Sequence, residues 1–136
     1  MWILKTFILL FVLAIAFWGC GTTNKSVNVP YTDELEGMAS YYAEDFHGRK
    51  TSNGETYDMH AMTAAHRTLP FNSRVRVTNL DNRRSVEVRI NDRGPFKNNR
   101  VIDLSYKAAL EIGLISNGTA PVSIEVLKVG PSSTNK

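Results

Sequence analysis

The stretch Val86-Glu87-Val88-Arg89-Ile90 alternates apolar and charged side chains and then runs into Asn91-Asp92-Arg93-Gly94-Pro95-Phe96. No other feature restricts the possible folds as strongly, because a period of two is the mark of a strand with one face on a core. The alternation stops at Asn91, and Gly94 and Pro95 give the chain an unusual backbone path beyond it. One carboxylate and one guanidinium are thereby delivered to the end of a strand, and polar loops on rigid scaffolds commonly carry function. The plainer reading of the same residues is that Asp92 caps the turn and Arg93 pairs with it.

A second alternation, Val75 and Val77 against Arg74, Arg76 and Thr78, is joined to the first through residues 80–84 as a hairpin. That turn has no glycine, so Asn82 is the residue expected at positive φ. Residues 37–43, 101–104 and 120–129 are further strand candidates, and one short helix is expected after Ser105 as N-cap, with Gly113 as its stop. Many short strands and a single short helix predict a small closed barrel rather than a parallel α/β sheet.

The flanks have a different composition. Residues 1–19 contain one charge, Lys5, ahead of an apolar run through Trp18, which is signal-peptide length and short of the roughly 20 residues that span a bilayer. Gly19-Cys20 at the end of that run resembles the lipobox of bacterial lipoproteins, in which the thiol is acylated, although Phe17 and Trp18 stand where that motif has an aliphatic and a small residue. Cys20 is the sole cysteine, so no internal disulfide is possible. No Asp comes directly after it, which favours an outer-membrane anchor facing the periplasm. Residues 20–34 read as a flexible polar tether with a reach of roughly 20 Å, residues 35–129 as the folded domain, and residues 130–136 as a polar tail. Lys and Arg number 16 against 13 Asp and Glu, without a basic run, which leaves no support for a nucleic-acid partner.

Two polar stretches remain within the domain. Residues 45–57 form a long Gly-punctuated loop with two aromatics, Phe46 and Tyr57, and loops of that kind are usually functional or disordered. His66 ends the small-residue run Thr63-Ala64-Ala65, shortly before Pro70. On its own, a single histidine there is most simply a satisfied structural residue.

The runs Phe46-His47-Gly48-Arg49-Lys50-Thr51-Ser52-Asn53-Gly54-Glu55-Thr56-Tyr57, Thr63-Ala64-Ala65-His66-Arg67-Thr68-Leu69-Pro70, Asn91-Asp92-Arg93-Gly94-Pro95-Phe96 and Val101-Ile102-Asp103-Leu104-Ser105 occur in the order seen in rare lipoprotein A, and the chain resembles that family over residues 37–127. The resemblance implies a six-stranded double-psi β-barrel with one short helix. It implies a lytic transglycosylase that cuts the β-1,4 bond between N-acetylmuramic acid and N-acetylglucosamine in peptidoglycan, preferring peptide-free strands and leaving a 1,6-anhydro end. Carried over residue by residue, it puts the catalytic aspartate at Asp92 and a partner histidine at His66, which would orient the aspartate, act in proton transfer or bind sugar. Tyr41 replaces the tryptophan common in the family's first strand and Ala43 a glycine. Many members continue into a glycan-binding SPOR domain, whereas this sequence stops at Lys136, so septal recruitment would depend on the barrel or a partner.

A glycosidic oxygen leaves only when protonated, so the implied reaction needs an acid. An ordinary aspartate is ionised at neutral pH, and Asp92 is therefore expected to have a raised pKa, with Arg93 aimed at backbone carbonyls or at Asp103. Tyr41, Tyr42, Phe46, Tyr57, Arg93 and Phe96 are the candidate sugar-contacting residues, and Asp103 is read as structural. No cofactor is called for, and His47, His60 and His66 lack metal-ligand spacing. The expected state is a monomer whose partners are glycan strands and, through Cys20, a membrane. The rival reading is a non-catalytic, expansin-like glycan binder.

Overall fold

The computed structural model describes residues 36–132. The expected signal peptide, Cys20 and the expected tether fall outside the described residues. Six strands, β1 (Glu36–Tyr41), β2 (Thr63–Ala65), β3 (Arg74–Asn79), β4 (Ser85–Asp92), β5 (Arg100–Leu104) and β6 (Ala120–Lys128), close into a barrel in the order β1-β5-β2-β4-β3-β6. β1 runs parallel to β5 and β2 parallel to β4, while the remaining neighbours are antiparallel. The barrel and the one α-helix among the described residues, α1 (Tyr106–Glu111), are as the alternations predict.

The core follows from those alternations. Val75 and Val77 of β3, Val88 and Ile90 of β4, Ile102 and Leu104 of β5, and Val122 and Ile124 of β6 are buried in one cluster. β2 carries no alternation to read because all three of its residues, Thr63, Ala64 and Ala65, are buried. It lies between β5 and β4, where small side chains admit close neighbours on either side. At the end of β5, Ser105 caps α1 by accepting the Ala108 N–H. Gly113 (φ 68°) then ends it: its N–H reaches the Leu110 carbonyl and the Leu114 N–H reaches that of Ala109, the two bonds of a Schellman stop.

Two local expectations are corrected. Positive φ in the β3–β4 turn falls on Arg83 (63°) and not on Asn82. The Asn82 side chain is committed elsewhere, accepting the Arg84 N–H and donating to the Ile112 carbonyl, so it braces the end of α1. The strand also does not stop at Asn91. β4 continues to Asp92, because Ala65 of β2 pairs with Asp92 across a bulge between Ala64 and Ala65. Bulges re-aim side chains at the ends of strands, and here the residue re-aimed is Asp92.

Candidate active site

Asp92 closes β4 at the bottom of an open groove that Tyr41, Tyr42, Phe46, Arg93, Phe96 and Asp103 help to line. Its carboxylate is held by donors from two other parts of the chain. Tyr42 Oη, one residue past β1, donates to Oδ2 at 2.6 Å. Oδ1 accepts from the Ser52 hydroxyl at 2.6 Å, the Ser52 N–H at 2.8 Å and the Arg93 N–H at 2.8 Å.

Ser52 arrives there because the 45–57 loop is folded rather than loose. Thr51 N–H bonds the Glu55 carbonyl, Tyr57 N–H bonds that of Arg49, and Lys50 bridges Thr56, giving a small hairpin with Ser52 at its tip. Glu55 fastens the hairpin to the barrel. It takes a two-pronged bond from Arg89 of β4, at 2.6 and 2.9 Å, and further donors from Asn91 and Asn53. The Arg89 guanidinium, seconded by the two asparagines, holds the Glu55 carboxyl down at about 2 against the opposing effect of burial. Sequence reasoning misses both this network and the Ser52 contact; the Asn53-Gly54 pair is the one available signal for a tight turn at the tip.

Arg93 is aimed at backbone, as expected, and not at Asp103. Its Nη1 donates to the carbonyls of Leu69 (2.9 Å) and His66 (3.2 Å), and its guanidinium carbon stands 3.8 Å over the Phe71 ring. Arg67 is spent in the same way on the carbonyls of Pro95, Lys97 and Arg100. Two guanidiniums thus hold the rim loop in place, and among the described residues no ion pair engages the Asp92 carboxylate.

The expected raised pKa of Asp92 is overturned. Burial pushes this carboxyl up, but the hydrogen bonds from Ser52, Tyr42 and the Arg93 N–H more than offset it, and the net shift is downward. Asp92 is a carboxylate in the resting site. Tyr42 is its counterpart, raised by burial and by the neighbouring Asp92 charge, so the phenol keeps its proton.

His66 is joined to Asp92 through the backbone, its N–H meeting the Asp92 carbonyl at 3.2 Å. The imidazole itself accepts the N–H groups of Thr68 and Leu69 at Nδ1, which fixes the neutral tautomer with its proton on Nε2. Burial, followed by the Arg93 and Arg67 charges, lowers its pKa to about 4. No side-chain hydrogen bond between His66 and Asp92 is present among the described residues. The His66 carbonyl, with that of Leu69, receives Arg93, and the bonds to the Asp92 carboxylate come from Tyr42, Ser52 and the Arg93 N–H.

The sugar-contacting candidates divide. Phe96 (86% exposed) stands open on the groove rim, whereas Phe46 (41% exposed) lies against Tyr42, ring centroids 5.8 Å apart, with the Arg49 guanidinium carbon over its ring at 4.9 Å from the centroid. Tyr41 lines the groove with its ring edge-on to Tyr106 at 6.2 Å. Tyr42 faces the groove as the donor to Asp92. Tyr57 is corrected: at 4% exposure it is packed under Tyr42 with ring centroids 4.9 Å apart, and its hydroxyl accepts the Tyr106 N–H. Arg49, Lys50 and Lys97 add cations to the groove wall, a feature the even spread of charge along the sequence conceals. Among the described residues no cluster of three His, Cys, Asp or Glu side chains is arranged for a metal ion.

The model of a family described as lytic transglycolase matches residues 34–124. The chain belongs to this family. Among curated proteins, the chain is 54% identical over 114 residues to the endolytic peptidoglycan transglycosylase RlpA of Campylobacter jejuni, covering 84% of this chain and 42% of that protein. It is 61% identical over 109 residues to the protein of the same description from Vibrio cholerae, covering 80% and 41%. The chain thus spans about two fifths of the length of these curated relatives. Among solved structures, the apo expansin of Clavibacter michiganensis superposes with a TM-score of 0.57 at 18% identity, over 71% of this chain and 52% of that one. The Streptomyces papain inhibitor does so at 0.52 and 21% identity, over 66% and 92%. Those two likenesses concern the fold, the double-psi β-barrel.

Proposed function

We propose that this barrel is a lytic transglycosylase domain that cuts the MurNAc-GlcNAc β-1,4 bond of peptidoglycan without water, leaving a 1,6-anhydro end. The observation that carries this reading is Asp92: an ionised carboxylate, gripped by Ser52 and Tyr42 in an open groove, with both neighbouring guanidiniums turned away. Identity of 54–61% to named peptidoglycan transglycosylases runs through the barrel and supports the same substrate. The C1–O4 bond breaks as O4 takes up a proton, and the Asp92 carboxylate takes the proton of the muramoyl 6-hydroxyl as that oxygen bonds to the anomeric carbon. Because the nucleophile belongs to the sugar, the site needs no carboxylate pair around a water molecule, which separates it from hydrolases. Preference for peptide-free strands fits the groove wall. A stripped muramic acid exposes its lactyl carboxylate, and Arg49, Lys50 and Lys97 supply the opposite charge. The reading includes acylation at Cys20 and a tether that keeps the domain close to the outer membrane.

The test is digestion of purified, peptide-free glycan followed by mass spectrometry of the products. Wild-type protein should release anhydro-ended fragments, and Asp92→Asn should lower the rate by about 10²–10⁴-fold while still binding. Wild-type protein that binds the strands and leaves them whole would establish the binding-only alternative.

A further inference from the structure

Arg93 follows Asp92 directly and lines the same groove, so its guanidinium is the cation closest in sequence to the carboxylate. An Arg beside a carboxylate normally pairs with it, and such pairs are among the stronger charge-assisted contacts. Here they are kept apart. Arg93 Nη1 donates to the His66 and Leu69 carbonyls at 3.2 and 2.9 Å, and the Phe71 ring covers the guanidinium, whose carbon stands 3.8 Å from the ring centroid. A guanidinium has five N–H donors. The two backbone bonds engage a single nitrogen, so the ring face is what holds the rest of the group.

Phe71 is itself fixed from two sides. It lies in a turn closed by the Ser73 N–H on the Pro70 carbonyl at 3.1 Å, with Asn72 at φ 68°. The Asn72 N–H meets the Ile90 carbonyl at 2.7 Å and the Ile90 N–H meets the Ser73 carbonyl at 2.8 Å, which fastens the turn to β4 two residues before Asp92. From behind, buried Gly130 donates its N–H to the Ser73 hydroxyl at 2.9 Å, and a Cβ at Gly130 would collide with the Phe71 carbonyl. The segment after β6 thus backs the turn that carries the ring.

We propose that Phe71 is a positioning residue for the reaction: its ring holds the Arg93 guanidinium off Asp92, and Gly130 locks the turn in place. The assignment rests on the transglycosylase reading, in which Asp92 receives the 6-hydroxyl proton. A released Arg93 would share the Asp92 charge and make the carboxylate a poorer acceptor for that proton. The other charged and titratable groups lining the groove are Tyr42 after β1, Arg49 and Lys50 of the hairpin, Lys97 in the rim loop, and Arg100 and Asp103 of β5, with burial raising the Asp103 carboxyl. Of these only Tyr42 bonds the Asp92 carboxylate, and the imidazole of His66, after β2, is turned to backbone N–H groups.

The experiment follows the Asp92 carboxyl carbon by NMR titration and measures kcat and KM on peptide-free glycan for wild type, Phe71→Leu, Phe71→Tyr and Gly130→Ala. Phe71→Leu keeps the apolar bulk and removes the ring face; it should lower the Asp92 midpoint by about one pH unit and kcat by about tenfold, with KM changed less than about threefold. Gly130→Ala should move the midpoint in the same direction, and Phe71→Tyr, which keeps the face, should stay within about twofold of wild type in kcat. In an Arg93→Gln background, which retains the backbone N–H on Asp92, the Phe71→Leu change should move the midpoint by less than about 0.3. A Phe71→Leu midpoint that is unchanged or raised, or an equal shift in the Arg93→Gln background, overturns the assignment. Wild type alone supplies a check that needs no variant to fold: the Arg93 δ-methylene protons should be shifted upfield by the ring across the Asp92 titration, and unshifted protons overturn the assignment. Wild-type protein that cuts no glycan sinks the transglycosylase reading, and the midpoints then decide whether Phe71 restrains Arg93.

Discussion

Replacing Ser52 by Ala removes the hydroxyl that donates to Asp92 Oδ1 at 2.6 Å and leaves the Ser52 and Arg93 N–H groups on the same oxygen. A hydrogen bond to a charged group contributes about 1.5–3 kcal/mol. Ser52 is exposed at the hairpin tip and Asp92 only half-buried, so solvent screening reduces the figure to about 1 kcal/mol. At 1.36 kcal/mol per pH unit, the Asp92 midpoint should rise by about 0.7. Its folded pKa lies below the ordinary 3.8, so the stabilisation is present above that value and is lost as the pH falls through the folded midpoint. The variant should therefore be about 1 kcal/mol less stable at pH 7, a drop of roughly 4–8 °C in Tm for a domain of this size, and no less stable than wild type well below the midpoint. Carboxyl-carbon NMR titration and paired melts at the two pH values measure both effects. An unchanged or lowered Asp92 midpoint, or equal destabilisation at both pH values, would refute the view that Ser52 holds the anion.

Glu55→Gln should cost about 1–2 kcal/mol at pH 7 by loosening the hairpin from β4, a figure already reduced for a side chain that is 38% exposed. Because the Glu55 pKa is depressed to about 2, the difference should be full above about pH 4.5 and shrink as the pH falls toward 2, as urea melts across that range would report. Gly37→Ala should destabilise by about 1–3 kcal/mol, since the new methyl would press on Cγ1 of Val101, with Cγ2 at 2.9 Å. Pairing it with Val101→Ala should cost less than the sum of the two single changes. Phe96→Ala should leave stability within about 0.5 kcal/mol, because the ring is 86% exposed, and weaken glycan binding roughly two- to tenfold in a titration with peptide-free strands.

The strands with a clean alternation, β3 and the body of β4, are legible in sequence because one face is buried and the other wet. β2 is not, because Thr63, Ala64 and Ala65 are enclosed on both sides and carry no periodicity. The site is similarly divided. Asp92 stands out as the residue where alternation meets a Gly-Pro turn, and the Arg93 side chain goes to backbone carbonyls, one of the two destinations expected for it. Ser52, forty residues upstream, does not stand out, since its contact exists only once Glu55 is clasped by Arg89.

From its linear order alone, this chain determines a small barrel of short strands, one capped helix with a glycine stop, and an aspartate displayed where a strand ends. These are local matters of periodicity, capping and turn chemistry, settled by neighbours a few residues apart. Tertiary structure alone decided the protonation states: Asp92 meets donors from two distant segments and is held as an anion, Asp103 meets almost none and is pushed toward neutrality, and His66 is turned to backbone N–H groups. A pKa is set by which groups converge in space and by how much water remains around them, and neither is written in the spacing of residues along the chain.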